Sequence, residues 1–292
     1  MKKLVSLLTA TVLACSLLAA CGGGGTASPS PSTSPTPSAS TPVDPSANPL
    51  EGTVLRVGAS PAPHAEILEV VKTILAEQGI TLDIVEFDDY VLPNTALEEG
   101  DLDANYFQHI TYLNNFNEEH STHLVDVADV HYEPFAIYPG KTAAIADLAD
   151  GAKLAVPDDG TNEARALMLL EAQGLIKLND GVGLAATKLD VAENPHNFDI
   201  VEMEAKLLPT ALADVDLAVI NGNYALGAGL TSEQALVFED ASDSTTPYVN
   251  VLAVKEGNES DPAIQALVSA LTSQQVKDFM NTTYGNAVVP VF

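Results

Sequence analysis

The sequence predicts an α/β protein of two lobes, on three observations. From Val54 onward short apolar runs alternate with helical periods. The alternation restarts after the breaker Tyr138-Pro139-Gly140. The last strong apolar run, Tyr248 to Val254, comes late and is followed only by helical periods. Two lobes with the chain crossing twice between them is the simplest grouping, with residues 51–138 and 247–292 in one lobe and 139–246 in the other.

The elements follow in order. Val54 to Gly58 reads as a strand. Ala65 to Gln78 reads as a helix, with Ile67, Val70, Val71, Ile74 and Leu75 on one face and Gly79 as the stop. Thr81 to Phe87 alternates as a strand, Leu92 to Glu99 is a short helix, Ala104 to Phe107 a strand, His109 to Glu119 a helix and Leu124 to Val130 a strand. Beyond the breaker, Leu154-Ala155-Val156, Ile200-Val201 and Leu217 to Ile220 read as strands, and Asn221-Gly222-Asn223 as a turn. Helices are expected at Pro262 to Leu271 and Gln274 to Asn281.

The N-terminus has a different composition. Lys2 and Lys3 precede an apolar run to Ala20, the charge layout of an export signal. It ends in Leu18-Ala19-Ala20-Cys21, which looks like a bacterial lipobox, with residues 1–20 removed and Cys21 diacylated. The duller alternative is an ordinary signal with an incidental cysteine. Cys15 leaves with the signal, so no thiol, disulfide or cysteine metal site remains. Residues 22–50 are Gly, Ser, Thr, Pro and Ala with little apolar bulk, so residues 21–50 read as a lipidated tether reaching at most about 90 Å. This places the protein outside the cytoplasm, anchored by lipid to the outer face of the cell membrane.

The chain has 12 basic and 40 acidic residues, a net charge of −28. Loss of Lys2 and Lys3 leaves 10 basic residues and takes the net charge to about −30, which disfavours nucleic acid and bare anionic membrane as partners. Of the two arginines, Arg56 and Arg165, the second stands in an unusual place. Asp158-Asp159-Gly160-Thr161-Asn162-Glu163-Ala164-Arg165 leads into Ala166-Leu167-Met168-Leu169-Leu170, a loop entering a helix with Thr161 as the cap. That helix is apolar on nearly every face after Arg165, so it is expected to be buried on more than one side. A buried guanidinium stays charged and needs an anion. The anion is either one of the protein's own acids or the carboxylate of a small ligand.

Longer motifs carry a family resemblance. Asp88-Asp89-Tyr90-Val91-Leu92-Pro93-Asn94, Gly100-Asp101-Leu102-Asp103-Ala104-Asn105-Tyr106-Phe107-Gln108-His109, Asp180-Gly181-Val182-Gly183-Leu184, Asp190-Val191-Ala192-Glu193-Asn194-Pro195, Leu217 to Asn221 and Pro247-Tyr248-Val249-Asn250 occur in family order. Together they resemble the methionine-binding lipoprotein family of ATP-driven importers. The resemblance implies a periplasmic-binding-protein type II fold with a ligand cleft between lobes, and methionine or a close analogue as ligand. It implies delivery to a membrane permease with its ATPase. Carried over by motif, Arg165 and Asn162 take the ligand's carboxylate, Asn221 and Asn250 the rest of its head group, and Tyr90, Phe107, His109 and Tyr112 its thioether. L-methionine leads over D-methionine, derivatives or short peptides. A monomer without cofactor or catalytic residue is expected.

The chemistry fits independently, since a zwitterion needs a cationic fork and neutral acceptors, and aromatic faces accept a polarizable sulfur. Duller roles exist: Tyr90, Phe107 and Tyr112 as core aromatics, and Asn221 as a turn former. The rival from chemistry is a zinc-type metal receptor using His64, His109 and His131, with His120 and His123 as a lesser pair. An enzyme has only Ser60 near His64, without a nucleophile motif, P-loop or dinucleotide fingerprint. Glu163 departs from the family pattern between Asn162 and Arg165, where an acid would repel or orient the head group. His131 and Pro61-Ala62-Pro63-His64 also depart from it.

Overall fold

Two strands near the start of the domain, β1 (Val54–Ala59) and β3 (Ala104–His109), form the centre of a sheet and run parallel. The computed structural model describes residues 48–240 and 246–292; the signal, Cys21 and the tether up to residue 47 lie outside the described residues. Between β1 and β3 come α1 (Glu66–Ala76), β2 (Thr81–Glu86) and α2 (Leu92–Glu99). Next follow α3 (Ile110–His120) and β4 (Leu124–Tyr132).

A second set begins with β5 (Ala136–Pro139), β6 (Lys153–Pro157) and α4 (Gly160–Ala172). A small antiparallel pair follows, β7 (Lys177–Leu178) and β8 (Val191–Glu193). It continues through β9 (Asp199–Met203), α5 (Leu208–Ala211), β10 (Leu217–Ile220), α6 (Gly222–Gly227) and β11 (Val237–Phe238). The chain ends with β12 (Val249–Lys255), α7 (Pro262–Leu271), α8 (Gln274–Thr283) and β13 (Val289–Pro290).

The first sheet has the order β13-β4-β12-β3-β1-β2 and the second β11-β5-β10-β6-β9. The chain passes between them twice, after β4 and before β12, as expected. The first passage lies earlier than expected, at residues 133–135. The Ala136–Pro139 segment pairs with β10 and β11 in the second sheet, because Ala136, Ile137 and Tyr138 form a buried apolar run that the breaker at Pro139-Gly140 only terminates.

Each sheet is covered on both faces, which explains why its central strands read as continuous apolar runs. On the first sheet Val57, Tyr106 and Leu252 pack with Ile67, Leu75, Leu267 and Met280 of α1, α7 and α8. Leu97, Leu113 and Val251 form the opposite face. On the second, Leu154, Val156 and Val219 pack against Leu167 and Leu170 of α4, while Ala218 and Ile220 meet Leu208 and Ala225. Each fully buried Leu or Ile contributes about 1.5–3 kcal/mol. Among the described residues no helix is long and apolar enough to cross a membrane.

Helix α4 is buried on all sides at residues 161–167, as its apolar composition demands. Its cap differs from expectation. Asp159 is the cap and its side chain accepts from the Asn162 N–H, while Thr161 sits in the first turn and donates its hydroxyl to Asp159. A carboxylate outcompetes a hydroxyl there because it also complements the positive end of the helix.

Candidate functional site

The carboxyl ends of β3, β4 and β10, the amino end of α4 and the start of β12 converge on one cavity. This is where open α/β sheets generally bind ligands. Its wall contains all eight residues singled out from the sequence: Tyr90, Phe107, His109, Tyr112, Asn162, Arg165, Asn221 and Asn250. Sequence reasoning missed Gln108, Glu133, Gly222 and Asn223, which also line it.

Three of the aromatic rings form a cluster. Tyr90 lies 5.9 Å from Phe107 and 5.6 Å from Tyr112, and Phe107 lies 6.3 Å from Tyr112, measured between centroids. The Tyr112 hydroxyl donates to the Tyr90 carbonyl at 3.1 Å. The Tyr90 hydroxyl crosses to the second set of elements and donates to Asn223 Oδ1 at 2.6 Å.

The polar groups are fixed by their own bonds. His109 caps α3: its Nδ1 accepts from the Tyr112 N–H at 3.0 Å, so the neutral ring carries its proton on Nε2 and donates to Asn162 Oδ1 at 3.2 Å. Burial, and then Arg165, push the His109 pKa down to about 3, which keeps the ring neutral. The Asn162 oxygen also accepts from Asn221 Nδ2 at 2.9 Å, and its own Nδ2 donates to both Asp159 oxygens at 2.9 and 3.1 Å. The Asn162 amide is therefore engaged inside the protein through both its oxygen and its nitrogen. It is the bracket that aims Asn221 and His109. With its Nδ2 spent on that bracket, Asn221 is left with a buried Oδ1 that has no partner among the described residues.

Arg165 is likewise engaged inside the protein. Its guanidinium does have an internal anion: Nε donates to Glu239 Oε2 at 2.9 Å and Nη2 donates to Glu239 Oε1. Nη2 also donates to the Glu133 carbonyl at 2.9 Å. The group lies 4.1 Å from the Tyr248 ring centroid and 4.8 Å from that of Phe135. The side chains of Arg165 and Glu239 are only 5% and 10% exposed. Glu133 and Glu239 lie in the two passages between the sheets, and the Glu239 N–H donates to the Phe135 carbonyl at 2.9 Å. Arg165 thus ties both passages together while still lining the cavity. A guanidinium carries five donors, so one group can make this tie and still face the cavity.

The chain matches the family model described as NlpA lipoprotein over residues 55–292. The chain belongs to the NlpA lipoprotein family. It is 45% identical over 237 residues to the membrane lipoprotein TpN32 of Treponema pallidum (strain Nichols), covering 80% of this chain and 87% of the relative. It is 40% identical over 238 residues to the D-methionine-binding lipoprotein MetQ of Escherichia coli (strain K12), with coverage of 80% and 87%. A solved nutrient binding protein from Burkholderia cenocepacia bound to methionine superimposes with a TM-score of 0.78 at 42% identity, covering 82% of this chain and all of that one. These relatives carry the names of lipoproteins and binding proteins, not of enzymes.

In this NlpA lipoprotein the departures noted in sequence do not all reach the cavity. Glu163 faces away, accepting from the Lys188 N–H at 2.6 Å, and burial raises its pKa to about 7. It is not part of the cavity wall. The three histidines of the metal reading are not brought together: His109 is held by Tyr112 and Asn162, while His64 and His131 lie 5.1 Å apart beside Glu133. His120 ends α3 stacked on Phe116, and His123 lies beyond the helix against Glu98. Ser60 bonds His64 with both groups buried, so the pair is part of the wall's support.

Gly222 is there because Glu133 is. A Cβ on Gly222 would stand 2.6 Å from Glu133 Oε2 and 2.8 Å from its Cβ. Gly222→Ala is expected to push Glu133 out of the wall and destabilise the fold by about 1–3 kcal/mol. Urea denaturation with an unchanged midpoint would show that the wall yields freely there.

Proposed function

We propose that this chain is the lipid-anchored receptor of an ATP-driven importer, capturing methionine outside the cell and handing it to a membrane permease with its ATPase. L-methionine is the form we favour. The observation that carries this reading is the unpartnered, buried Asn221 Oδ1 in a cavity that also holds an aromatic cluster and a guanidinium. A buried acceptor left without a donor is penalised by about 1–3 kcal/mol, so a ligand donor is the physical complement.

The wall sorts into donors and acceptors that match a zwitterion. Asn250 Oδ1 is taken by His64, which leaves its amide N–H groups, with Arg165 Nη1, for the carboxylate. Asn221 Oδ1 and the Glu133 carboxylate suit an ammonium. Tyr90, Phe107 and Tyr112 suit a thioether, each sulfur–aromatic contact contributing about 0.3–1.5 kcal/mol. The relatives' names and the methionine-bound neighbour support the same ligand. Because the wall draws on both sheets, a bound ligand would bridge them and shift the population toward a closed form that a permease recognises.

The test is native mass spectrometry of residues 50–292, read for co-purified mass and then titrated with L-methionine, D-methionine, methionine dipeptides and zinc. One equivalent of L-methionine, held more tightly than its mirror image, is expected. A shift with zinc alone would overturn the receptor reading.

A further inference from the structure

Behind the cavity wall lies a set of side chains that the proposed ligand does not touch. His64 and His131 are 1% and 0% exposed in their side chains and flank Glu133, with His131 Nε2 at 2.8 Å and His64 Nε2 at 3.4 Å from the same carboxylate oxygen. His64 Nε2 is also 3.0 Å from Asn250 Oδ1. At the far side of each ring stands a hydroxyl: Ser60 Oγ at 2.9 Å from His64 Nδ1, and the Tyr106 hydroxyl at 2.6 Å from His131 Nδ1.

The proton positions follow from the partners. A carboxylate and an amide oxygen only accept, so both rings must donate from Nε2. In a neutral ring Nδ1 then accepts, and the hydroxyls of Ser60 and Tyr106 donate to it. Two parallel chains result, hydroxyl to imidazole to cavity acceptor. One ends on Asn250 and fixes which end of its amide faces the ligand; the other ends on Glu133 and holds its carboxylate.

We propose that His64 and His131 are positioning residues for ligand capture: as neutral donors they orient Asn250 and Glu133 toward a zwitterion, and when protonated they release it. This rests on the cavity reading above. Protonation of His64 would cost Nδ1 its acceptor role toward Ser60 and place a cation beside Glu133, where the ligand's ammonium is to sit. The titratable groups facing the pair are Glu133 from the passage after β4 and Tyr106 from β3; behind them, Arg165 from α4 acts on Glu133 and Tyr284 beyond α8 on Tyr106. Burial pushes the pKa of His64 down to about 4, against the pull of Glu133, and burial alone takes His131 to about 3. Both are therefore neutral at ordinary pH. Affinity is present above these values and lost as pH falls through them.

The same three groups have ligand-type atoms within 4.8 Å of one another. A metal there would require both Nε2 atoms to lose their protons, a tautomer opposite to the one the hydrogen bonds demand. Nitrogen-15 spectra of the histidine rings separate the two: Nε2–H rings that stay unchanged on adding zinc support the positioning role, and Nε2 resonances that shift with one equivalent of zinc overturn it.

The decisive experiment is methionine titration calorimetry from neutral pH down to about pH 3 on wild type, His64→Leu, His64→Gln and the matching His131 variants, with circular dichroism confirming the fold at each pH. The leucine variants, which lack a donor, are expected to bind about tenfold or more weakly at neutral pH. His64→Gln donates but does not titrate, so it is expected to stay within about threefold of wild type at neutral pH and to keep its affinity to lower pH. If wild type binds methionine and His64→Leu binds it equally well, the positioning role is wrong while the receptor stands. An acid limb identical in His64→Gln and wild type overturns the release by protonation. Wild type that binds no methionine at any pH removes the cavity reading, and this inference with it.

Discussion

Arg165→Ala is expected to destroy methionine capture and also to weaken the unliganded protein, each by about 3–5 kcal/mol, the range seen when one partner of a buried charge pair is removed. The second effect separates the structure from the simpler expectation. A guanidinium that waited only for a ligand would leave apo stability unchanged when deleted, or improve it. Here Glu239 would lose both its Nε and Nη2 donors while 10% exposed, keeping, among the described residues, the Tyr132 hydroxyl and the Phe135 N–H. The Glu133 carbonyl would lose its donor too, so both passages between the sheets would loosen at once. Urea denaturation without ligand, paired with calorimetry, measures the two losses. An unchanged denaturation midpoint would show that the Arg165–Glu239 pair contributes nothing to the fold.

Glu133→Gln is expected to weaken methionine binding by about 2–5 kcal/mol, because the change keeps shape and removes the charge facing a desolvated ammonium. Burial raises the Glu133 pKa, and the Arg165 guanidinium opposes that rise. The control ligand is the same thioether acid without its amine. The variant should bind this analogue no worse than wild type does, since the lost partner is the ammonium alone. An equal loss for both ligands would mean that Glu133 shapes the wall without reading the head group.

Most of the fold was legible because its signals are local. Burial on two faces makes β10 and the Val251–Val254 run of β12 apolar, and the one-sided period of α1 needs only its own residues. Strand β5 escaped because four residues running into a Pro-Gly breaker carry no period that distinguishes a strand from a loop. Helix α6 was read as a turn for a similar reason, Asn221-Gly222-Asn223 being a turn signature that here opens a short helix. Among the site residues, those carried by long motifs all reached the cavity wall. Glu133 was invisible because one acid among 40 has no signature, and only Gly222 beside it, with no room for a Cβ, hints at a close approach.

The sequence by itself determined the alternating elements, the family, and the set of amides, aromatics and one cationic fork available for a ligand. Tertiary structure decided what each of those groups is free to do. A side chain's type sets how many hydrogen bonds it can make, but its neighbours set how many remain. Asn162, whose capacity is consumed by Asp159, His109 and Asn221, became a bracket. Arg165, which shares its charge with an acid 74 residues away, became a tie between the sheets as well as a wall of the site. That pairing is a long-range contact with no local trace in the chain.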